Sequence, residues 1–245
     1  MTAPTAAMLT IGDEILSGRT RDANMPHLAV ALGAKGIALR EARVVPDESE
    51  AIVAALNAMR AAHTHVFTSG GIGPTHDDIT ADSVAAAFGV AIDVREDARA
   101  ILAQNYADPE RELNAARLRM ARIPDGATLI ENPVSRAPGF TLGNVHVMAG
   151  VPTIFQAMLE GLLPRLSGGP PLLSESLRFT LPEGELAGPL AEIAGRHGAV
   201  SLGSYPHSFG GRPCAHVVAR SSDPTALAGA MADLAALADQ LGARA

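Results

Sequence analysis

SGGIGPTHDDIT, residues Ser69 to Thr80, is the stretch that decides the fold of this chain of 245 residues. A compact apolar segment, His65 to Ser69, leads into the glycines, and Thr80 to Phe88 has the pattern of a helix. Glycines let the backbone approach a ligand and aim consecutive N–H groups at an anion, and a helix start adds partial positive charge. The order of strand, glycine-rich loop and helix therefore predicts a phosphate-binding loop in an α/β domain.

The spacing of these glycines differs from two common phosphate-binding motifs. No lysine follows them as in a Walker loop, and they do not fit the dinucleotide fingerprint GxGxxG. We predict that the loop contacts the ligand through Ser69, Gly70, Gly71 and Gly73. A second interpretation stays open, in which this stretch is a tight turn capped by Asp78 or Thr80.

Two carboxylates, Asp77 and Asp78, come directly behind the glycines. They would repel a bound phosphate unless a cation lay between them, and Mg²⁺ takes carboxylate and phosphate oxygens as ligands. Such a cation would also polarise phosphorus toward attack by water. In the alternative interpretation, one aspartate caps the helix and the other binds a sugar or a pterin ring.

Two further predicted strands end in acidic residues. Asp13 and Glu14 follow the first strand, and Asp47 follows the strand that ends at Val45. Each acid alone is typical of a solvated helix cap. Because ligands gather at the carboxyl ends of parallel strands, their common placement predicts one site together with the glycine-rich loop.

A second pair of loops, Asn132–Phe140 and Gly150–Pro152, is expected at the same edge. These loops offer further backbone donors, and we include Gly150 among the ligand contacts. Arg136 could contact phosphate, but an arginine in a proline-rich surface loop is more often solvated. His76 has the position of an exposed loop residue.

The first 165 residues alternate strand-like and helix-like segments, which predicts a mainly parallel sheet with helices on both faces. One of the predicted helices runs from Glu112 to Arg122. The stretch Ser167–Pro171, SGGPP, is typical of a linker. Beyond it, the pattern predicts strand, helix, strand, strand and helix. We therefore predict two domains, 1–166 and 172–245.

Composition restricts the class of partner. The formal net charge is −7, aromatic residues make up 3% and tryptophan is absent, so a track of stacked bases along a nucleic acid is not expected. The single cysteine is typical of a reducing compartment. No run of about 20 apolar residues and no signal peptide is recognisable. We expect a cytoplasmic protein that binds a small nucleotide or pterin, without nucleic-acid or membrane partners.

The order of several motifs resembles CinA-like proteins of the molybdopterin-binding superfamily that includes MoaB and MogA. The motifs are TIGDEILSG (Thr10–Gly18), Asn24, VVPD (Val44–Asp47), TSGGIGPTHDDIT (Thr68–Thr80), Asn114, IPDGA (Ile123–Ala127), NPVSRAPGF (Asn132–Phe140), AGVP (Ala149–Pro152) and GSYP (Gly203–Pro206). The resemblance implies a three-layer α/β/α domain followed by a small KH-like α+β domain. It also implies self-association into a homo-oligomer.

Residue by residue, the resemblance matches Asp47 and Asp78 to the acidic site residues of the molybdopterin-binding relatives. It also implies that Thr75 and Asp13 contact the ligand. The sequence also departs from the family. Arg117 stands where many members have glutamine, and Ile154 where many have glutamate. The C-terminal nicotinamide-nucleotide deamidase domain of full-length CinA has no counterpart in these residues, so that activity is not expected here.

The resemblance implies two alternative chemistries on the same loop. One is hydrolysis of an ADP-ribose or FAD-type pyrophosphate with Mg²⁺, Mn²⁺ or Co²⁺, in which Asp47 and Asp78 are catalytic and Asp47, Asp77 and Asp78 hold the metal. The other is the binding of molybdopterin during assembly of the molybdenum cofactor. A third hypothesis is a non-catalytic module that senses a nucleotide.

Overall fold

The computed structural model describes residues 4–209 and 212–244. The chain divides into two compact units between Gly169 and Pro170. Each unit has its own hydrophobic core, so each is described by itself.

The first unit alternates strands and helices. Its strands are β1 (Thr5–Ile11), β2 (Ala38–Val45), β3 (His65–Ser69), β4 (Ile92–Val94), β5 (Arg122–Pro124), β6 (Thr128–Ile130), β7 (Gly139–Leu142) and β8 (Val145–Met148). Its α-helices are α1 (Asp13–Leu16), α2 (Asn24–Ala34), α3 (Ser49–Ala62), α4 (Thr80–Phe88), α5 (Glu96–Ala103), α6 (Pro109–Glu112), α7 (Ala115–Leu118) and α8 (Pro152–Leu162). Short 3₁₀ turns cover Arg119–Ala121 and Leu163–Arg165.

Six of these strands form the central sheet, in the order β2-β1-β3-β8-β7-β6. The first four are mutually parallel, and β7 and β6 extend the sheet in antiparallel fashion. The prediction of a mainly parallel sheet is therefore confirmed. Strands β4 and β5 form a separate antiparallel pair.

Strand β1 shows why the domain has three layers. Its residues are buried on both faces: Leu9 and Ile11 belong to one apolar cluster, together with residues of α3 and α4. Met8 belongs to a second cluster, together with residues of α2 and α8. A continuous apolar run buried on both sides is what a central parallel strand requires. Helices therefore cover both faces of the sheet.

The predicted helix from Glu112 to Arg122 is wrong. The chain instead forms α6, a break at Asn114, α7, a 3₁₀ turn and then β5. The Asn114 side chain accepts a hydrogen bond from the backbone N–H of Arg117 at 3.0 Å. Because an asparagine that caps a helix starts a new one, the long helix cannot continue through this position.

The second unit is a three-stranded antiparallel sheet with two helices. Its elements are β9 (Leu173–Phe179), α9 (Glu183–Arg196), β10 (Ser201–Phe209), β11 (Arg212–Ser221) and α10 (Pro224–Gln240). The strand order is β10-β11-β9. Phe179, Val217 and Leu202 face the helices and share one apolar cluster with them. Within the described residues, no helix is long and apolar enough to span a membrane.

A buried histidine in the central sheet makes the stability of the first unit depend on pH. His146 on β8 is 4% exposed, and its ring nitrogens contact Thr141 Oγ1 at 2.9 Å and His65 Nδ1 at 3.1 Å. Burial, aided by repulsion from His65 and Arg165, lowers the pKa of His146 from 6.5 to about 3. Between pH 6.5 and about 3, His146 is therefore protonated in the unfolded chain and neutral in the folded one.

We expect the free energy of unfolding of the first unit to be unaffected by His146 above pH 6.5. As the pH falls from 6.5 toward 3, it should decrease by roughly 1.4 kcal/mol per pH unit. Urea unfolding of the wild type and His146→Gln at several pH values between 7 and 4 measures it. The variant should have the shallower dependence, whereas His76→Gln, at a side chain that is 99% exposed, should follow the wild type. Parallel curves for wild type and His146→Gln would contradict the assignment.

Candidate functional site

A cleft of about 540 Å³ opens at the carboxyl ends of β1, β2, β3 and β8. Its lining comes from the segments that directly follow these strands, from the loop between β6 and β7, and from the 3₁₀ turn Arg119–Ala121. The residues that line it are Ile11, Gly12, Glu14, Thr20, Asp47, Gly70, Gly71, Ile72, Gly73, Pro74, Asp77, Asp78, Met120, Asn132, Ser135, Ala137, Ala149, Gly150, Val151, Pro152 and Ile154.

The first two glycines of the loop have backbone conformations that other residues rarely adopt. Gly70 has φ of 107° and Gly71 has φ of 68°. A Cβ atom at Gly70 would collide with the carbonyl oxygen of Ile11, and one at Gly71 with Thr80 Oγ1. The loop is therefore folded tightly against the end of β1 and the start of α4, and the Gly70 N–H donates to the carbonyl oxygen of Met148 on β8 at 3.3 Å.

Thr80 fixes the start of α4 to this loop. Its hydroxyl donates to the carbonyl oxygen of Gly70 at 2.9 Å, and its backbone N–H donates to the carbonyl oxygen of Gly71 at 3.0 Å. Thr80 is fully buried. The glycine-rich loop is thus held by the helix that follows it, as a preformed anion site requires.

Asp78 stabilises the second half of the loop. Its Oδ2 accepts hydrogen bonds from the backbone N–H of Thr75 at 2.8 Å and from the Thr75 hydroxyl at 2.5 Å. Arg119 donates to the backbone carbonyl of Asp78 at 2.9 Å. A Cβ atom at Gly73 would lie 2.6 Å from Asp78 Oδ2, so only glycine leaves room for this arrangement.

Asp47 lies on the opposite side of the cleft. Its Oδ2 accepts a hydrogen bond from the backbone N–H of Asp13 at 3.0 Å. Burial raises the pKa of the Asp47 carboxyl, the Asp13 N–H opposes the rise, and the carboxylates of Asp13, Glu14 and Asp77 add to it. Several carboxylates therefore act on one another here, and such surroundings favour the binding of a proton or a cation.

Asn24 links the end of β3, where the glycine-rich loop begins, to the loop that follows β8. Its Nδ2 donates to Ser69 Oγ at 2.8 Å and to the carbonyl oxygen of Gly150 at 2.7 Å. Asn24 is 3% exposed, and its Oδ1 has no hydrogen-bond partner among the described residues. A Cβ atom at Gly150 would lie 3.2 Å from the Cα of Gly70, so the two loops are in close contact.

The structure brings together seven of the predicted site residues in the cleft. They are Asp47, Gly70, Gly71, Gly73, Asp77, Asp78 and Gly150. Three others do not line it: Ser69 is buried beneath the loop, Thr75 is bonded to Asp78, and the Asp13 side chain is exposed. Sequence reasoning did not predict the apolar part of the lining, to which Ile72 and Met120 contribute.

Comparison with known proteins gives the family of this chain. Residues 7–168 match the family described as "Probable molybdopterin binding domain". The chain belongs to this family. Residues 171–242 match the domain described as "FAD synthase, middle domain". The resemblance to CinA-like proteins and to the molybdopterin-binding superfamily is confirmed.

Two relatives and one solved structure show how far the similarity extends. A protein of Pyrobaculum calidifontis is 35% identical over 212 residues, which cover 83% of this chain and 81% of that protein. A CinA-like protein of Citrifermentans bemidjiense is 38% identical over 167 residues, 66% of this chain but only 40% of the relative. The structure of CinA from Thermoplasma acidophilum, described as having unknown function, is 34% identical with a TM-score of 0.61, covering 66% of this chain and 98% of that one.

Arg117 and Ile154 depart from the family pattern, and the structure shows what each contacts in this molybdopterin-binding domain. The Arg117 guanidinium lies 4.6 Å from the centre of the Tyr106 ring and donates to the carbonyl oxygen of Glu112 at 2.7 Å. It does not line the cleft. Ile154 does line it, so this position contributes an apolar contact.

The carboxylates of the cleft do not form a closed metal site by themselves. Within residues 4–209 and 212–244, no three His, Cys, Asp or Glu side chains are grouped so that they could hold a metal ion. At Asp78, one carboxylate oxygen is in addition already bonded to Thr75. The prediction that Asp47, Asp77 and Asp78 hold a metal therefore stays a prediction for the cleft with a bound phosphate.

Proposed function

We propose that this cleft binds the diphosphate of an ADP-ribose or FAD-type dinucleotide and that the protein hydrolyses its phosphoanhydride bond with the help of a divalent cation. The observation that carries the proposal is the preformed loop of Gly70, Gly71 and Gly73 facing Asp47 across one cleft. Backbone donors on one side and carboxylates on the other suit an anion bridged by a cation.

The dimensions and lining of the cleft suit a ligand larger than phosphate. Ligand pockets for small molecules have volumes of about 300–1,000 Å³, and this one has about 540 Å³. Ile72, Met120 and Ile154 give part of the lining an apolar character. A planar ring could pack on these side chains while its phosphates lie on the glycines.

The donor set of the cleft fits magnesium or a similar hard cation. Mg²⁺ is usually held by one or two carboxylates, substrate phosphates and water rather than by a complete protein cage. Asp47 and Asp77 supply carboxylates here, and Asp78 has one oxygen not bonded to Thr75. A bound cation would neutralise phosphate oxygens and make phosphorus more open to attack.

In this proposal Asp47 accepts a proton from the attacking water. The oxygen of the water forms a bond to one phosphorus, the bridging P–O bond breaks, and two monophosphates leave. The raised pKa of Asp47 makes it a better proton acceptor than an ordinary exposed carboxylate. The N–H of Asp13 holds the carboxylate in place.

We expect purified protein to release AMP from ADP-ribose or FAD when Mg²⁺, Mn²⁺ or Co²⁺ is present, and a chelator to abolish the release. Chromatography of the nucleotides measures it, with CoA as a third pyrophosphate substrate. Asp78→Ala should lose the activity because the loop would lose its internal bond to Thr75. No turnover of any of these substrates, or an unaffected Asp78→Ala variant, would refute the hydrolase proposal.

Membership of the molybdopterin-binding family favours a second candidate, binding of molybdopterin during cofactor assembly. Molybdopterin also combines a planar ring system with a phosphate, so it would use the same loop. A titration with molybdopterin and its adenylylated form distinguishes the two candidates. Tight binding of either form without hydrolysis of ADP-ribose or FAD would favour this second function.

A further inference from the structure

The sheet of the second unit has a row of polar and aromatic side chains on the face opposite α9 and α10. Alternation along the strands places Phe179, Val217 and Leu202 against the helices. The strand register therefore puts Tyr205, His216 and Arg178 side by side on the other face, across all three strands. Together with Pro206, His207 and Val218 these residues line a depression of about 410 Å³.

Tyr205 offers an accessible aromatic ring at this depression. It is 47% exposed, although large aromatic side chains are usually buried. The ring lies beside Gly203, where an added Cβ would come within 3.1 Å of two of its atoms. Arg220 donates to the Tyr205 hydroxyl at 3.4 Å. The absence of a side chain at Gly203 therefore lets the ring rest along the strand with part of its surface open to a ligand.

The charge on this face is opposite to that of the whole chain. The chain has a formal net charge of −7, yet Arg178 and Arg220 lie on this face. Among the described strand residues that alternation assigns to it, none is acidic: Ser174, Ser176, Arg178, Ser201, Gly203, Tyr205, His207, Cys214, His216, Val218 and Arg220. The acidic residues of this unit lie on the helices, at their ends or on the helix side of β9. Such segregation attracts an anion to the sheet face.

The two histidines give the depression a defined shape. The His207 and His216 rings meet edge to face with their centres 5.4 Å apart. Arg178 Nε donates to His216 Nε2 at 3.0 Å. The imidazoles and guanidinium groups can therefore bind phosphate oxygens beside an aromatic surface on which a base can stack.

From these observations we propose that this face binds one free nucleotide, with its base stacked on Tyr205 and its phosphate near Arg220. This site lies outside the cleft of the proposed hydrolase and does not depend on that activity. The depression is of the size of one small ligand. Among the side chains that the structure describes, Tyr205 is the one exposed large aromatic ring, so it offers a stacking surface for one base.

Fluorine NMR tests the proposal directly, because the chain contains only two tyrosines. Full-length protein labelled with 3-fluorotyrosine should give one resonance for Tyr106 and one for Tyr205, and Tyr205→Phe assigns the second. We expect AMP to shift the Tyr205 resonance until saturation. Adenosine and ribose 5-phosphate, which each lack half of the recognition chemistry, should bind at least about tenfold more weakly.

Arg220→Gln should weaken AMP binding at Tyr205 at least about fivefold, because it removes one cation beside the ring. Arg196→Gln is the matched control, since Arg196 lies on α9 and pairs with Asp233 at 3.0 Å, and it should leave the affinity unchanged. An unmoved Tyr205 resonance, or a shift of Tyr106 alone, would overturn the proposal. Binding of oligoadenylate far more tightly than AMP would overturn it in favour of a nucleic-acid partner.

Discussion

Gly70→Ala is expected to abolish ligand binding in the cleft and to destabilise the first unit at the same time. The residue has φ of 107°, and a Cβ atom there would collide with the carbonyl oxygen of Ile11 at the end of β1. Strain of this kind and loss of the local packing cost about 2–4 kcal/mol. The melting temperature should therefore fall by roughly 5–10 °C.

The binding loss follows from the same collision. To relieve it, the loop must move away from β1, and this displaces Gly71 and Gly73, which line the cleft directly after Gly70. We expect the affinity for ADP-ribose to fall at least about a hundredfold, a loss of about 2.7 kcal/mol. Isothermal titration calorimetry measures the affinity, and thermal unfolding followed by circular dichroism measures the stability.

Two other glycines separate these effects. Gly33→Ala in α2 is the control, because an added Cβ meets no atom within 4 Å, and alanine in a helix should keep or slightly raise stability. Gly150→Ala brings a Cβ to 3.2 Å from the Cα of Gly70, so it should fold and still bind about tenfold more weakly. If Gly70→Ala bound ADP-ribose as tightly as the wild type, the loop would not be the phosphate site.

The part of the site that could be predicted from sequence is the part encoded locally. Strand β3, the glycines and α4 follow one another within one short stretch, and the bounds of β3 and α4 are those predicted. The convergence of Asp47 on the same cleft followed from the rule that ligands gather at the carboxyl ends of parallel strands. Local pattern and one rule of topology therefore sufficed for the main cleft.

The remaining features depend on contacts between distant residues. Asn24 and the carbonyl group of Gly150 are 126 residues apart, so no local pattern could show that Asn24 joins two loops. The resemblance implied a ligand contact for Thr75, but its hydroxyl is bonded to Asp78 within the loop. Strands β6 and β7 have three and four residues, and such short strands form only because β8 offers a partner edge to β7, and β7 in turn to β6.

Asp47→Asn is expected to be almost inactive and yet as stable as the wild type. Asparagine keeps the shape and can still accept the hydrogen bond from the Asp13 N–H, so the local fold should remain. It removes the charge that would accept a proton or bind a cation. General base catalysis typically contributes a factor of about 10²–10⁴, and we expect kcat for AMP release to fall by that amount.

Stability distinguishes a functional role of Asp47 from a structural one. The pKa of Asp47 is raised by burial and by the carboxylates of Asp13, Glu14 and Asp77, so its charge opposes folding at neutral pH. Because the pKa of Asp47 is higher in the folded than in the unfolded chain, the ionised carboxylate destabilises the fold at any pH above the folded pKa. This destabilisation decreases as the pH falls from the folded pKa to the unfolded one. Asp47→Asn should therefore unfold at the same or a higher temperature than the wild type at pH 7.

Glu48→Gln is the matched control for this charge change. Glu48 is the neighbouring residue, is exposed, does not line the cleft and makes no capping hydrogen bond to α3. It should keep both activity and stability. The pH profile of kcat/KM adds a further measurement: the wild type should lose activity in acid as Asp47 takes up its proton. An Asp47→Asn variant that kept activity within a few fold would show that this carboxylate neither accepts the proton nor holds the cation. The hydrolase would then need its base among the other carboxylates that line the cleft, which are Glu14, Asp77 and Asp78.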